Sequence, residues 1–131
     1  MQTLKIEIMN WLRSKRRMIH LGIGLGAVVI YELTRAYYRP FIYSNGINDF
    51  HIADTLGNSL GTIATVFVFL SVLVRTIADE RFLLRAVPIS VFVYELAHPL
   101  LGKPIDVWDL IATAVAGFFC EVIYKLNQTF D

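Results

Sequence analysis

A single cysteine, Cys120, leaves the chain without an internal disulfide, which excludes a disulfide-stapled secreted fold. Charge is scarce as well. Only 18% of the 131 residues are charged against 56% that are apolar, and the formal net charge is +1. So small an excess of base excludes a nucleic-acid protein that draws phosphates to a basic surface. The shortage of polar side chains also speaks against a soluble domain, because a chain this short has much surface to cover. Disorder is excluded by the abundance of Val, Ile, Leu and Phe. No phosphate-binding glycine loop is present. Gly22-x-Gly24-x-Gly26 lies inside an apolar run with no strand before it, where helix packing explains it better. No motif for a cofactor or for a catalytic nucleophile appears, and Cys120, set among Phe118, Phe119 and Val122, reads as an inert buried thiol.

What is abundant is long apolar sequence. Four stretches, 18–38, 52–74, 82–101 and 107–124, approach the length a helix needs to cross hydrocarbon. They lack the apolar/polar alternation of barrel strands, and 66–74 shows none of the polar face of a soluble bundle helix. The expected fold is therefore all-α: an integral membrane four-helix bundle, one domain over 18–131. A cleaved signal peptide is not expected, since Tyr31-Glu32-Leu33-Thr34-Arg35 is no small-residue cleavage site. Residues 1–17 precede the bundle. Over 3–15, Leu4, Ile8, Trp11 and Leu12 share a helical face and Lys5, Arg13 and Lys15 supply charge, as in an amphipathic helix lying in the membrane interface. A plain solvated leader is the alternative.

Lys5, Arg13, Lys15, Arg16, Arg17, Arg75, Arg81, Arg85 and Lys125 fall on one side of the four spans, and Arg35, Arg39 and Lys103 on the other. The positive-inside rule then puts both termini in the cytoplasm and the loops 39–51 and 99–106 outside. His20 and Glu121 lie near the cytoplasmic end, where they are expected to reach the head groups.

An internal repeat organises the spans. Tyr31-Glu32-Leu33 recurs as Tyr94-Glu95-Leu96 at an offset of 63, and Asp54-x-x-x-Asn58-x-x-Gly61 as Asp109-x-x-x-Thr113-x-x-Ala116 at an offset of 55. Two similar helix pairs related by an axis along the membrane normal would place both Glu-plus-Asp sets at the outer end. Asp54, Asn58, Gly61 and Thr65 form one helical stripe, and Asp109, Thr113, Ala116 and Cys120 another. Polar at the outer end and small further in, these stripes are expected to face the bundle interior, where small residues let helices approach. Gly22-x-x-x-Gly26 and Gly57-x-x-x-Gly61 carry the same signal, while Phe67, Phe69, Phe92, Phe118 and Phe119 are expected to face lipid or fill gaps.

Ionisable residues gather near that outer end. Glu32, Asp54, Asn58, Glu95, His98 and Asp109 form a candidate polar binding cluster, because a carboxylate at this depth is costly unless paired or hydrated. His51 and Asp54 are three apart, as are Glu95 and His98, so each pair shares a helix face. These four are also a candidate metal set, since carboxylate-bridged dimetal bundles draw a similar census from their helices. The opposite reading is a hydrogen-bonded network with Arg35, Arg39, Lys103 and water.

The segment Tyr94-Glu95-Leu96-Ala97-His98-Pro99-Leu100-Leu101-Gly102-Lys103-Pro104-Ile105-Asp106-Val107-Trp108-Asp109, continued to Gly117, resembles the signature of the VanZ-like membrane proteins. That signature has a glutamate, a polar residue three later, a basic residue in a short loop, and an aspartate followed by Asn and Gly four and seven further on. His98, Lys103, Thr113 and Ala116 stand where the family usually has Gln, Arg, Asn and Gly, and Asp54-x-x-x-Asn58-x-x-Gly61 carries the missing pattern in the other half. The resemblance covers about a third of the chain directly. It implies a bacterial inner-membrane protein and a link to glycopeptide (teicoplanin) resistance, as in some members; it carries over no biochemical activity.

The leading expectation is thus a multi-pass membrane protein, non-enzymatic or of unknown activity, that uses no cofactor. Its outward acidic/His cluster binds a membrane-protein partner, a lipid head group or an envelope precursor. One alternative is a proton or metal-cation site of a channel or transporter, and another is an outer-leaflet enzyme acting on lipid-linked precursors with these acids and bases. Four spans enclose little volume, so both alternatives favour a homo-oligomer. The expected partners are the lipid bilayer and, for the cluster, one of these ligands; nucleic acid is not among them.

Overall fold

The computed structural model describes residues 1–74 and 77–128, apart from the side chains of residues 12, 13 and 77. Every regular element among them is helical: α1 (Gln2–Arg13), α2 (Lys15–Leu33), α3 (Arg39–Ser44), α4 (Ile52–Val72), α5 (Ile77–Leu96) and α6 (Val107–Gln128). Three helices are long and apolar enough to cross a membrane: Lys15–Ser44, Ile52–Val72 and Val107–Gln128.

The first of these is longer than the apolar run that announces it. A π-helical segment, Thr34–Tyr38, joins α2 to α3 without a break, giving 30 residues in one shaft. Pro40 accounts for the change of pitch. It has no N–H to donate and its ring crowds the carbonyl four residues back, so the ladder opens, and the Arg39 N–H reaches the Thr34 carbonyl instead.

The third apolar stretch is not among the three. Its helix starts at Ile77 and stops at Leu96, so it carries Asp79, Glu80, Arg81 and Arg85 in its first half and Glu95 near its end. Pro99 and Gly102 fix the stop. His98–Leu101 tighten into a 3-10 turn that Gly102 closes at φ 74°, a left-handed conformation that glycine takes without steric cost.

The helices do not form a square. α4 is central and packs against α2, α5 and α6; α5 also packs along α6, whereas α2 meets α6 only briefly. α4 therefore buries a wide arc, including Ala53, Thr62, Ala64, Val66, Phe67, Leu70 and Ser71. The polar-to-small stripe of α6 does face inward, with Thr113, Ala116 and Cys120 buried, but that of α4 is only half-buried because the arc is centred beside it. Phe67 is fully buried, which leaves the gap-filling and not the lipid-facing alternative for this ring, and joins Val66, Leu70, Val74, Leu84, Cys120 and Tyr124 in the core. Phe69, Phe118 and Phe119 are exposed.

Close helix approach uses a different glycine from the expected pair. Nothing lies near Gly22, Gly26 or Gly61. A Cβ on Gly24 would stand 2.7 Å from the Val68 side chain and 3.2 Å from the Ala64 carbonyl oxygen, so Gly24 is where α2 crosses α4. In lipid, where expulsion of water does not drive helices together, such contacts carry much of the association.

One end of the bundle gathers the termini. Ser14 breaks the chain between α1 and α2, and its hydroxyl accepts from the Arg17 N–H. The Trp11 indole donates to the Ser71 carbonyl at 2.7 Å, which ties α1 to the end of α4 while Leu4 and Ile8 stay exposed. Arg16 pairs with Glu80 at 2.6 Å, Tyr124 donates to the same carboxylate, and Arg85 pairs with Glu121 at 3.2 Å. His20 does not reach outward as expected. It is fully buried beside Phe67 and Tyr124, one turn above Arg16. Arg75, counted in the charge distribution, lies outside the described residues.

Candidate functional site: the polar end of the bundle

Opposite the termini, α5 ends where two sequence signals meet. Glu95 is the penultimate helical residue, and the turn that Pro99 and Gly102 impose folds His98 back over the face it shares with Glu95. The result is a buried carboxylate. Glu95 is 3% exposed; its Oε1 accepts from the Asn58 amide of α4 at 3.1 Å, and His98 Nδ1 stands 3.2 Å from its Oε2. The His98 contact has ion-pair distance without hydrogen-bond alignment, so Oε2 is buried with no hydrogen-bond donor among the described residues. The Tyr94 ring meets the His98 imidazole edge to face at 5.1 Å and fixes its plane.

Asp109, at the start of α6, lies partly buried within electrostatic range of Glu95, His98, Asp106 and Asp54. Asp106 accepts from the Trp108 N–H at 2.9 Å and so serves the first turn of α6, where an anion meets the positive end of the helix dipole. Thr113 is fully buried, and its hydroxyl donates to the Asp109 carbonyl one turn back at 2.8 Å. Acidic groups thus outnumber basic ones at the mouth of this cluster. A ligand that brings positive charge or N–H donors complements it.

A second group lies beside the first. Asp54 accepts from the Tyr43 hydroxyl and has Arg39 at 3.9 Å and His51 Nδ1 at 3.6 Å, with the carboxylate about two-fifths exposed. Phe50 and His51 take left-handed φ values of 57° and 63°, and this turn aims the chain into α4. Asp49 completes the turn, accepting from the Ala53 N–H at 2.8 Å and the Tyr38 hydroxyl at 3.2 Å. The His51 ring stacks on Trp108 at 4.8 Å, linking the first turns of α4 and α6. A small cavity of about 160 Å³ lies between the π segment and α4, lined by Tyr31, Arg35, Arg39, Asp54 and Gly57 among others.

Of the six cluster residues expected from sequence, Asn58, Glu95 and His98 are joined directly, Asp109 stands close by, and Asp54 belongs to the neighbouring group. Glu32 is not brought in. Its carboxylate is half exposed on the outside of the shaft and pairs with Arg35 at 2.8 Å. The four expected metal ligands likewise divide into two pairs, His51 with Asp54 and Glu95 with His98. Among the described residues no group of three or more His, Cys, Asp or Glu side chains is arranged to hold a metal ion.

Tyr43, Asp49, Tyr94 and Trp108 were not among the expected site residues. Asp49 had a legible signal, an Asn-Asp step just before an apolar helix. Tyr43 had none, since its approach to Asp54 depends on the pitch of the π segment. The chain matches no protein-family model, and no similar protein was found among curated sequences or solved structures.

Proposed function

We propose that this is a small multi-pass protein of the bacterial inner membrane, built on the VanZ-like four-span plan. Both termini are cytoplasmic, and the Asn58, Glu95, His98 and Asp109 cluster faces outward. There it binds the cationic or N–H-bearing part of a lipid head group, an envelope precursor or a membrane partner. The observation that carries this reading is the buried Glu95 carboxylate, one oxygen of which has no donor among the described residues. Burying a carboxylate oxygen that the His98 ring meets at ion-pair distance but outside hydrogen-bond alignment costs about 1–3 kcal/mol, and a protein at its stability threshold retains such a cost where the group has a task. Intramembrane acids are functional sites by default on the same ground.

α5 supplies the fourth span in this reading. Its 20 residues measure about 30 Å, the thickness of the hydrocarbon. Its charges are Asp79, Glu80, Arg81 and Arg85 in its first half and Glu95 near its end, and Glu80 and Arg85 have partners on α2 and α6. Reporter fusions after Asn45 and after Gly102 test the topology: both are expected to report the outer side, and a cytoplasmic signal from either overturns the four-span plan. Glu95→Gln tests the site. The variant is expected to accumulate in the membrane at wild-type level while the glycopeptide tolerance that the VanZ-like reading expects of the wild type is lost. Unchanged tolerance with a folded variant would defeat the reading.

A further inference from the structure

At the end that gathers the termini, a continuous groove runs between α5 and α6. Its apolar part is lined by Pro88, Ile89, Phe92, Ala114 and Gly117. Lower down the walls are Leu84, Pro88, Gly117 and Phe118, with the Arg85–Glu121 ion pair as the floor. That floor opens into a cavity of about 300 Å³ lined by Arg81, Arg85, Glu121, Tyr124 and Lys125. Each cavity shares walls with the next: Pro88, Ile89 and Gly117 are common to the first two, Leu84, Arg85 and Glu121 to the last two.

Two features of the sequence make this groove. Pro88 sits inside α5, and Gly117 faces it from α6; a Cβ on Gly117 would lie 3.1 Å from Pro88 Cβ, so the two helices touch here and this contact gives the groove a shallow floor. The exposed side chains of Ile89 and Phe118 stand on its banks. Below, three basic side chains meet one acidic one, and Glu121 is already engaged by Arg85. Among the described residues Arg81 and Lys125 have no ion-pair partner.

We propose that this groove holds one anionic phospholipid of the surrounding bilayer. An acyl chain lies in the groove over the Pro88–Gly117 contact, flanked by Ile89 and Phe118, and the phosphate sits between Arg81 and Lys125. Basic pockets between helices at one membrane face are what anionic head groups recognise. A zwitterionic lipid is disfavoured, because its own ammonium group would meet the same two cations. The site lies at the opposite end of the bundle from the Glu95 cluster and shares no residue with it. The inference therefore goes beyond the proposed function and needs only that the helices lie in a bilayer.

Native mass spectrometry of the full-length protein, titrated with phosphatidylglycerol or phosphatidylcholine of identical acyl chains, tests it. The wild type is expected to retain one phosphatidylglycerol in preference to phosphatidylcholine, and Arg81→Gln with Lys125→Gln to lose that preference by about fivefold for each charge removed. Lys5→Gln with Lys15→Gln, which removes as much charge from the same end outside the groove, is expected to leave the preference intact. Ala114→Phe fills the groove from an exposed position and is expected to lower phosphatidylglycerol retention severalfold with all the charges in place. Three results overturn the proposal: no preference in the wild type, an equal loss in both double variants, or undiminished retention in Ala114→Phe. Should the Arg81/Lys125 variant fail to fold, the Ala114→Phe result decides alone.

Discussion

Glu32 and Glu95 occupy the same place in matching Tyr-Glu-Leu triplets, and the bundle treats them in opposite ways. Glu95 is buried, bonded to Asn58 and faced by His98. Glu32 is half exposed and paired only with Arg35 on its own helix. The course of the chain beyond each triplet makes the difference. After Leu33 it continues through the π segment to Ser44, so Glu32 stays in mid-shaft; after Leu96 the helix stops and folds its next polar residue back over Glu95. The facing helices differ as well, since Asn58 has an amide to offer across the interface whereas the Thr113 hydroxyl is spent on its own backbone. A repeated triplet repeats a helix face. It does not repeat the site, which depends on where the helix ends and what the neighbour can donate.

Three measurements break or sharpen this contrast, each by unfolding the protein in detergent micelles. The largest effect is expected at the tightest crossing within a helix pair, that of α2 with α4. Gly24→Leu forces a side chain onto the backbone of α4 and should cost about 3 kcal/mol. Gly117→Ala, which meets only the Pro88 ring, should cost about 1 kcal/mol. Equal losses would show that the two crossings are equivalent after all. Next, Glu95→Ala should cost about 2 kcal/mol, because it strands the Asn58 amide in a buried position. Glu32→Ala should change stability by less than about 0.5 kcal/mol, as expected for an exposed ion pair. A large loss from Glu32→Ala would restore the symmetry of the repeat. The smallest effect is a gain: with nothing near either glycine, Gly22→Ala and Gly26→Ala should each stabilise α2 by about 0.5 kcal/mol. A loss at either position would return them to the helix interface.

The legibility of the chain tracks the range of the interactions concerned. The helical class and three of the apolar spans were plain in the sequence, because length and composition act locally. The pairing of Glu95 with His98 was legible too, since residues three apart stay neighbours in the 3-10 turn after the helix as they do on the helix itself. The inward stripe on α6 was readable because α6 has a simple two-sided environment. The stripe on α4 was not, because a central helix touches three others and buries more than one stripe. His20 shows the same limit: its depth is set by Phe67 and Tyr124 on other helices, which no spacing around residue 20 discloses. The boundary of α5 was misplaced because 82–101 stays apolar beyond the point where Pro99 ends the helix.

The π segment has a consequence for the polar end of the bundle as a whole. One residue of a regular helix corresponds to about 100° of rotation, so a stretch wound at a wider pitch acts as a phase shift on every later residue of the shaft. Beyond it, Ile42 is buried and Tyr43 reaches Asp54, so the last two turns of the shaft lean on α4 rather than standing free. At 30 residues the shaft is about 45 Å long against a hydrocarbon layer of about 30 Å. The shaft thus exceeds that thickness by about 15 Å, and its last turns form a post braced against the first turn of α4. The mouth of the polar end has in this post one raised wall, fixed in azimuth by a single proline.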